Sequence, residues 1–182
     1  VKRDTPNSLL VDAGDYLQGN PTVNLTKGEN SVRLMKMAGY YAATLGNHEF
    51  DFGKEVLQAR IAEAAAEPNP FYMLSANILN EDGTYFTKPY VVTKVGGLKI
   101  GFFGLTTEET PVQTHPRNVH GLVFTDVLKT AEKMAQTLRA EGCDVVVALT
   151  HVGTEGVLGV KSTDIAAKVD GLDVVIDGHS HV

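Results

Sequence analysis

The sequence predicts an α/β protein whose layers are built mainly from parallel strands connected by helices. Apolar runs of strand length recur along the 182 residues, and segments with helical periodicity separate several of them. Strand–helix–strand alternation requires crossover connections, which favour parallel pairing. The predicted strands are Leu9–Val11, Tyr41–Leu45, Phe71–Leu74, Tyr90–Val95, Lys99–Phe103, Val145–Leu149 and Val174–Ile176.

Four segments have the apolar spacing of amphipathic helices. The clearest runs from Asp126 to Glu141, with Thr125 as the expected N-cap and Gly142 as the residue that follows its end. The other three predicted helices are Glu29–Ala38, Lys54–Glu67 and Ser162–Val169.

One connection is predicted to be a hairpin. Gly96-Gly97 separates Tyr90–Val95 from Lys99–Phe103, and a two-residue glycine turn between strands is typical of antiparallel pairing. No change in composition marks a domain boundary, so residues 1–182 are predicted to form one domain.

Charge and composition exclude several classes of function. The 16 Lys and Arg residues against 22 Asp and Glu residues give a formal net charge of −6, without a run of basic residues. We therefore expect no nucleic-acid polymer as a partner. No apolar stretch is long enough for a membrane span. Cys143 is the single cysteine, which excludes an internal disulfide and a thiolate metal cluster.

Side chains that could bind a metal follow four of the predicted strands. In chain order they are Asp15, Asn47 with His48, His151, and His179 with His181. In open parallel sheets the ligand crevice lies outside the carboxyl ends of the strands. The pattern therefore predicts that these side chains form one site.

The expected metal follows from the types of ligand. Carboxylate, amide oxygen and imidazole without thiolate favour Mn, Zn, Co, Fe or Mg over a structural zinc site. A carboxylate can also bridge two ions, as in two-metal hydrolases. Gly14, Gly46 and Gly178 precede three of the ligand groups and would permit close backbone approach at the strand ends.

The ordered motifs resemble those of a known family. Gly14–Gly19, Gly46–Gly53, His151 and Gly178–His181 are similar to successive motifs of the calcineurin-like metallophosphoesterases, in the 5'-nucleotidase and 2',3'-cyclic-nucleotide phosphodiesterase branch. The resemblance covers nearly the whole chain. It implies an αββα metallophosphatase sandwich.

The resemblance also implies a set of metal ligands. Asp15 would bridge two divalent ions, Asn47, His151 and His179 would complete the second metal site, and His181 would belong to the first.

The activity that the resemblance implies is hydrolysis of phosphate esters, with nucleotides as the expected substrates and a metal-bound hydroxide as the nucleophile. His48 would face the substrate phosphate, and Asp51 would orient His48. Asp51 could instead, or in addition, cap the helix that follows Gly53. Glu49 is expected to be structural. Asp12 and Asp177 lie near strand ends, and the sequence leaves open whether they support the metal ligands or have no role in the site.

Two departures from the family pattern shape the expectations for this chain. The pattern opens with Asp-x-His on a first strand, and no Asp-x-His precedes Asp15. The first metal site would then keep only Asp15 and His181, so one ion or none is expected. The branch also has a C-terminal domain that binds the nucleoside, whereas this chain ends one residue after His181. We therefore interpret the chain as a partial catalytic domain.

Two other functions stay open at this point. A non-catalytic remnant or binding module would keep the fold without turnover, and a UDP-sugar or sulfur-ester hydrolase could share the same motifs. Because members of the branch are usually exported or bound to the cell surface, the resemblance favours an exported, periplasmic or cell-surface protein.

Overall fold

A computed structural model describes residues 5–155 and 159–181 of the chain. The strands in these residues are β1 (Leu10–Asp12), β2 (Tyr40–Thr44), β3 (Tyr72–Leu74), β4 (Ile78–Asn80), β5 (Tyr90–Val95), β6 (Leu98–Thr106), β7 (Leu122–Phe124), β8 (Val145–His151) and β9 (Val174–Asp177).

Helices connect most of these strands. They are α1 (Pro21–Leu25), α2 (Glu29–Ala38), α3 (Lys54–Ala65), α4 (Thr110–Gln113), α5 (Val127–Ala140) and α6 (Ser162–Lys168). Single 3₁₀ turns occur at His48–Phe50 and Pro116–Val119. None of the helices in the described ranges combines the length and the apolar character needed to cross a membrane.

The strands form two main sheets, and most pairs are parallel as predicted. The first sheet has the order β1-β2-β3 and is parallel throughout. The second has the order β5-β6-β8-β9, with parallel pairs except for β5 and β6. The short strands β4 and β7 pair with each other in an antiparallel ribbon.

The two sheets pack face to face between layers of helices, as expected for an αββα sandwich. Residues of both sheets form the central core, and they are Ala42, Leu74, Val91, Phe102, Val147 and Leu149. A second core lies between the first sheet and the helices α2 and α3, and a third lies between the second sheet and the helices α5 and α6. This layering leaves the carboxyl ends of β1, β2, β8 and β9 free to carry a site.

The Gly96-Gly97 hairpin is confirmed. Val95 pairs with Leu98 across it, so the two glycines form the whole connection. Their φ values of +58° and +87° lie in the left-handed region, where a side chain would be strained.

Other local predictions need correction. Thr125 is not the N-cap of α5, because the side chain of Asp126 accepts the hydrogen bond from the Lys129 N–H. The backbone N–H of Thr125 instead donates to the carbonyl of Asn77, which ties the segment before the helix to the residue that precedes β4. The strands β4 and β7 were missed because each has only three residues and little alternation. The helix α3 ends at Ala65, two residues before the predicted end.

Candidate metal centre

Three of the predicted ligands come together at the carboxyl ends of the strands. Asp15, His151 and His179 each offer one ligand atom, and these atoms all lie within 4.8 Å of one another. They line a cavity of about 330 Å³ that also includes His181. Residues from the two ends of the chain therefore meet at one position, as the strand-end pattern predicts.

The imidazole of His151 is held in one tautomer. Its Nδ1 lies 2.6 Å from the backbone carbonyl oxygen of Ala13, which can only accept a hydrogen bond, so Nδ1 carries the hydrogen. In the neutral ring Nε2 then presents a lone pair. Within the part of the chain that the structure describes, that buried atom has no hydrogen-bond partner of good geometry, although it lies 2.9 Å from Oδ2 of Asp15.

This pair fits a cation. Two lone-pair atoms at such a distance repel each other unless a proton or a metal ion lies against both. Ligand atoms that are each roughly 2.1 Å from one ion, and at right angles, lie roughly 3.0 Å apart. The observed 2.9 Å between Nε2 of His151 and Oδ2 of Asp15 is consistent with that arrangement.

Burial and neighbouring charges shift the pKa values of the three predicted ligands that lie close together. Burial alone would raise the pKa of Asp15, but His151 and the N–H of His48 lower it. Burial alone would lower the pKa of His151, but the carboxylate of Asp15 raises it. The pKa of His179 is lowered by burial and by the nearby charge of His151. His179 is therefore favoured in the neutral form, which is the form that binds metals.

Asn47 lies on the loop that follows β2 and is 5% exposed. Its Oδ1 is buried and has no hydrogen-bond partner among the described residues. A buried acceptor without a partner is costly, and a cation would satisfy it. The next residue, His48, donates its backbone N–H to Oδ1 of Asp15 at 2.9 Å, which joins this loop to the centre.

His181 lines the same cavity, but the close group of ligand atoms described above does not include it. It is one of three predicted ligands with left-handed backbone: φ is +67° at Asp15, +86° at His179 and +56° at His181. This conformation is uncommon for residues other than glycine, and it concentrates at functional sites because the surroundings must enforce it.

Two glycines are required by close contacts at the centre. A Cβ atom at Gly14, where φ is +97°, would lie 2.6 Å from Nδ1 of His151. A Cβ atom at Gly46 would collide with Oδ1 of Asp15. The glycines of the sequence motif therefore allow the backbone to pack directly against Asp15 and His151, two of the predicted ligands.

His48 and Asp51 form a pair beside the candidate metal centre. Nδ1 of His48 lies 2.7 Å from Oδ2 of Asp51, so Nδ1 donates to the carboxylate and Nε2 stays available. The side chain of His48 is 41% exposed and can be reached by a ligand. Asp51 does not cap α3, since Gly53 occupies the cap position without a side-chain bond.

Sequence reasoning assigned no role to Gln18, although it lies within the first motif. Nε2 of Gln18 donates to Oδ2 of Asp51 at 3.2 Å and lies 3.1 Å from Nδ1 of His48. Thr114 approaches the other oxygen of Asp51 at 3.4 Å. These contacts come from distant parts of the chain, so no local signal reveals them.

Asp177, which was left open, has a supporting role. Its Oδ1 accepts hydrogen bonds from the Thr150 hydroxyl and from the N–H groups of Val152 and Gly153. It thereby fixes the start of the loop that follows His151. Asp12 has a similar role in the loop that follows β1, where its Oδ1 accepts the N–H of Gly14 at 2.9 Å.

Comparisons with known proteins agree on the family. A profile of the calcineurin-like phosphoesterases matches residues 1–182. The chain is 38% identical over 182 residues to a 5'-nucleotidase of Diplobatis ommata, and this alignment covers 96% of the chain and 29% of that protein. It is 37% identical over 178 residues to a snake venom 5'-nucleotidase of Gloydius brevicauda, which covers 95% of the chain and 28% of that protein.

A solved structure is similar over the whole chain. The calcineurin-like phosphoesterase YfkN of Bacillus subtilis superposes with a TM-score of 0.85 at 28% identity, covering 100% of this chain and 60% of that one. In each case the chain spans less than two thirds of the protein that it matches.

Proposed function

The chain belongs to the calcineurin-like phosphoesterase family, and on this basis we propose that it contributes a metal centre for the hydrolysis of phosphate esters, with nucleotides as substrates. The observation that carries the proposal is the meeting of Asp15, His151 and His179 within 4.8 Å of one another, beside His48. The similarity to 5'-nucleotidases supports the choice of nucleotides.

Four side chains would hold a divalent cation: Asp15, Asn47, His151 and His179. They offer one carboxylate, one amide oxygen and two imidazoles, a set that suits Mn, Zn, Co, Fe or Mg. When bound, such an ion polarises the phosphoryl oxygens and makes an attacking water more acidic. His181 is the further ligand expected for a second ion.

His48 would act on the substrate. Because its Nδ1 donates to Asp51, the opposite nitrogen, Nε2, can face the phosphoryl group. In hydrolysis a bond forms between water oxygen and phosphorus while the bond to the ester oxygen breaks. Protonated Nε2 would stabilise negative charge on the phosphoryl oxygens and supply the proton that the leaving oxygen needs. Asp51, which accepts a hydrogen bond from Gln18, would keep the imidazole of His48 oriented.

The matched relatives extend well beyond the segment they share with this chain. That extra length leaves room for the C-terminal nucleoside-binding domain that the family resemblance implies. The chain is accordingly proposed to supply the metal and phosphate contacts, and the base would be recognised elsewhere. The venom origin of one relative supports the prediction that the protein is exported.

The test is an assay of the chain, and of the full product of its gene, with p-nitrophenyl phosphate and nucleoside monophosphates, with and without Mn²⁺. Metal-dependent release of phosphate is expected in at least one form, and it should be much slower in His48→Ala. Binding of Mn²⁺ without turnover in either form would favour the non-catalytic module. Turnover of UDP-sugars or sulfur esters in preference to nucleotides would favour the third alternative.

A further inference from the structure

Glu49 is a buried carboxylate between two of the strand-end loops. It lies in the 3₁₀ turn at His48–Phe50 and is 1% exposed. Its two oxygens accept four backbone hydrogen bonds, from Asp15 (2.7 Å), Tyr16 (2.8 Å), Leu17 (3.1 Å) and Gly46 (2.5 Å).

Burying an ionised carboxylate is unfavourable unless an ion pair or hydrogen bonds compensate for its lost hydration. The ion pairs found in the described ranges do not include Glu49. Burial and the charge of Asp15 raise its pKa to about 7. Backbone N–H groups that converge on an anion offset part of this cost. An apolar side chain of similar size would avoid the cost but would leave four N–H groups unsatisfied.

The four N–H groups belong to two different loops. Three of them are consecutive, at Asp15, Tyr16 and Leu17, and successive N–H groups that face one anion form a concave nest. The fourth, at Gly46, lies directly before Asn47 and is held by Oε2, the same oxygen that binds the N–H of Asp15. One carboxylate oxygen therefore spans the loop after β1 and the loop after β2.

This bridge acts at the point where the backbone is strained. Asp15 has φ +67°, a conformation that persists only where surrounding contacts enforce it. The hydrogen bonds from its own N–H and from the next two N–H groups supply that enforcement.

We propose that Glu49 is a positioning residue that sets the loop of Asp15 against the loop of Asn47, so that the carboxylate and the amide oxygen can bind one cation. Glu49 does not touch the cation or the substrate. The inference rests on the metal role proposed above for Asp15 and Asn47, and it adds the residue that holds their two loops in position relative to each other.

Glu49→Gln is the sharpest variant, because it keeps the size of the side chain but replaces one acceptor oxygen by a donor that faces backbone N–H groups. Mn²⁺ affinity, measured by calorimetry at one pH on folded protein, should fall by roughly 10- to 100-fold. Glu49→Asp, which keeps the charge but shortens the reach, should also weaken binding.

The matched control is Glu108→Gln. Oε1 of Glu108 accepts the N–H of Val127 at 2.7 Å, a bond that joins the loop after β6 to the start of α5 and involves none of the proposed ligands. This variant removes a comparable bond from a carboxylate to the backbone, and it should leave Mn²⁺ affinity unchanged. Equal affinities for Glu49→Gln and Glu108→Gln would overturn the proposal.

Amide hydrogen exchange in the metal-free chain provides a measurement that does not depend on metal binding. The N–H groups of residues 15–17 should exchange slowly in the unchanged chain and much faster in Glu49→Gln. Rapid exchange at these positions in the unchanged chain would overturn the positioning role. Absence of Mn²⁺ binding together with slow exchange there would instead contradict the proposed function and leave the bridge of Glu49 supported.

Discussion

Nε2 of His151 faces Oδ2 of Asp15 at 2.9 Å, although the two residues lie near opposite ends of the chain. The ring is fixed by the hydrogen bond from its Nδ1 to the carbonyl of Ala13. Ala13 and Asp15 lie on the same loop, so that loop both orients the imidazole and presents the carboxylate to it. A cation at this position would be held by two groups whose geometry is set before it binds.

Removal of a central ligand should abolish tight metal binding. Asp15→Asn keeps the shape of the side chain but removes its charge, and we expect Mn²⁺ affinity to fall by about 100-fold or more. Calorimetry of the purified chain is the measurement, with His120→Ala, a change in an exposed loop residue, as the control. Unchanged affinity in Asp15→Asn would contradict the proposed centre.

The number of bound ions should not exceed one per chain. Within residues 1–182 the family resemblance implies Asp15 and His181 as ligands of the first site, and His181 is not part of the close group of ligand atoms found in the described residues. Elemental analysis after dialysis against Mn²⁺ measures the ratio directly. Two tightly held ions per chain would show that the first site finds other ligands.

His48 should affect turnover without affecting metal binding. In whichever form of the protein hydrolyses p-nitrophenyl phosphate, His48→Ala should lower kcat by about 10²- to 10⁴-fold, the usual contribution of a proton-transfer group. Asp51→Asn should lower it less, because His48 remains. His120→Ala, a change in an exposed histidine, is again the control. A loss of Mn²⁺ affinity in His48→Ala equal to its loss of kcat would point to a structural effect.

Stability of the metal-free chain should depend on the protonation of His151. Its pKa is raised above the ordinary value of 6.5 because the carboxylate of Asp15 lies beside the ring. Its contribution is therefore fully present below about pH 6.5 and lost as pH rises through the raised folded value. The pKa of Asp15 is lowered from 3.8, so its contribution is present above about pH 3.8 and lost as pH falls through the folded value.

Urea unfolding at several pH values, without metal, tests this dependence. The free energy of unfolding should fall as pH rises above 6.5, and the fall should be smaller in His151→Gln, which has no titrating ring. Glu49, whose pKa is about 7, also titrates in this region, so the difference between the two profiles, rather than either profile alone, reports on His151. Parallel profiles for the two proteins would contradict the assignment.

Gly46→Ala should damage the centre through a steric clash alone. The added methyl group would collide with Oδ1 of Asp15 and lie 2.9 Å from its backbone N. We expect Mn²⁺ affinity to fall by at least about 10-fold. Gly101→Ala is the matched control, because its methyl group would meet the side chain of Leu138 in the core at 2.8 Å. That variant should lower stability and keep affinity; loss of affinity in both would show that the effect is not local.

The sequence by itself determined the layered α/β fold and the edge at which the proposed ligands lie. Strand-length apolar runs that end in Asp15, Asn47, His151 and His179 are local patterns, and parallel pairing brings such ends to one edge whatever the details of packing. The motifs also determined the family. The physical reason is that a short stretch of sequence shows both which residues form a buried strand and which polar residues follow its carboxyl end.

The tertiary structure alone decided which atoms meet. The bridge from Glu49 to the loop of Asp15, the contact of Gln18 with Asp51, and the position of His181 outside the close ligand group depend on loops that are far apart in the chain. A shift of about an ångström in such a loop makes or breaks a hydrogen bond without changing any local pattern of polarity. These contacts are therefore properties of the packed strand ends, which no short stretch of sequence records.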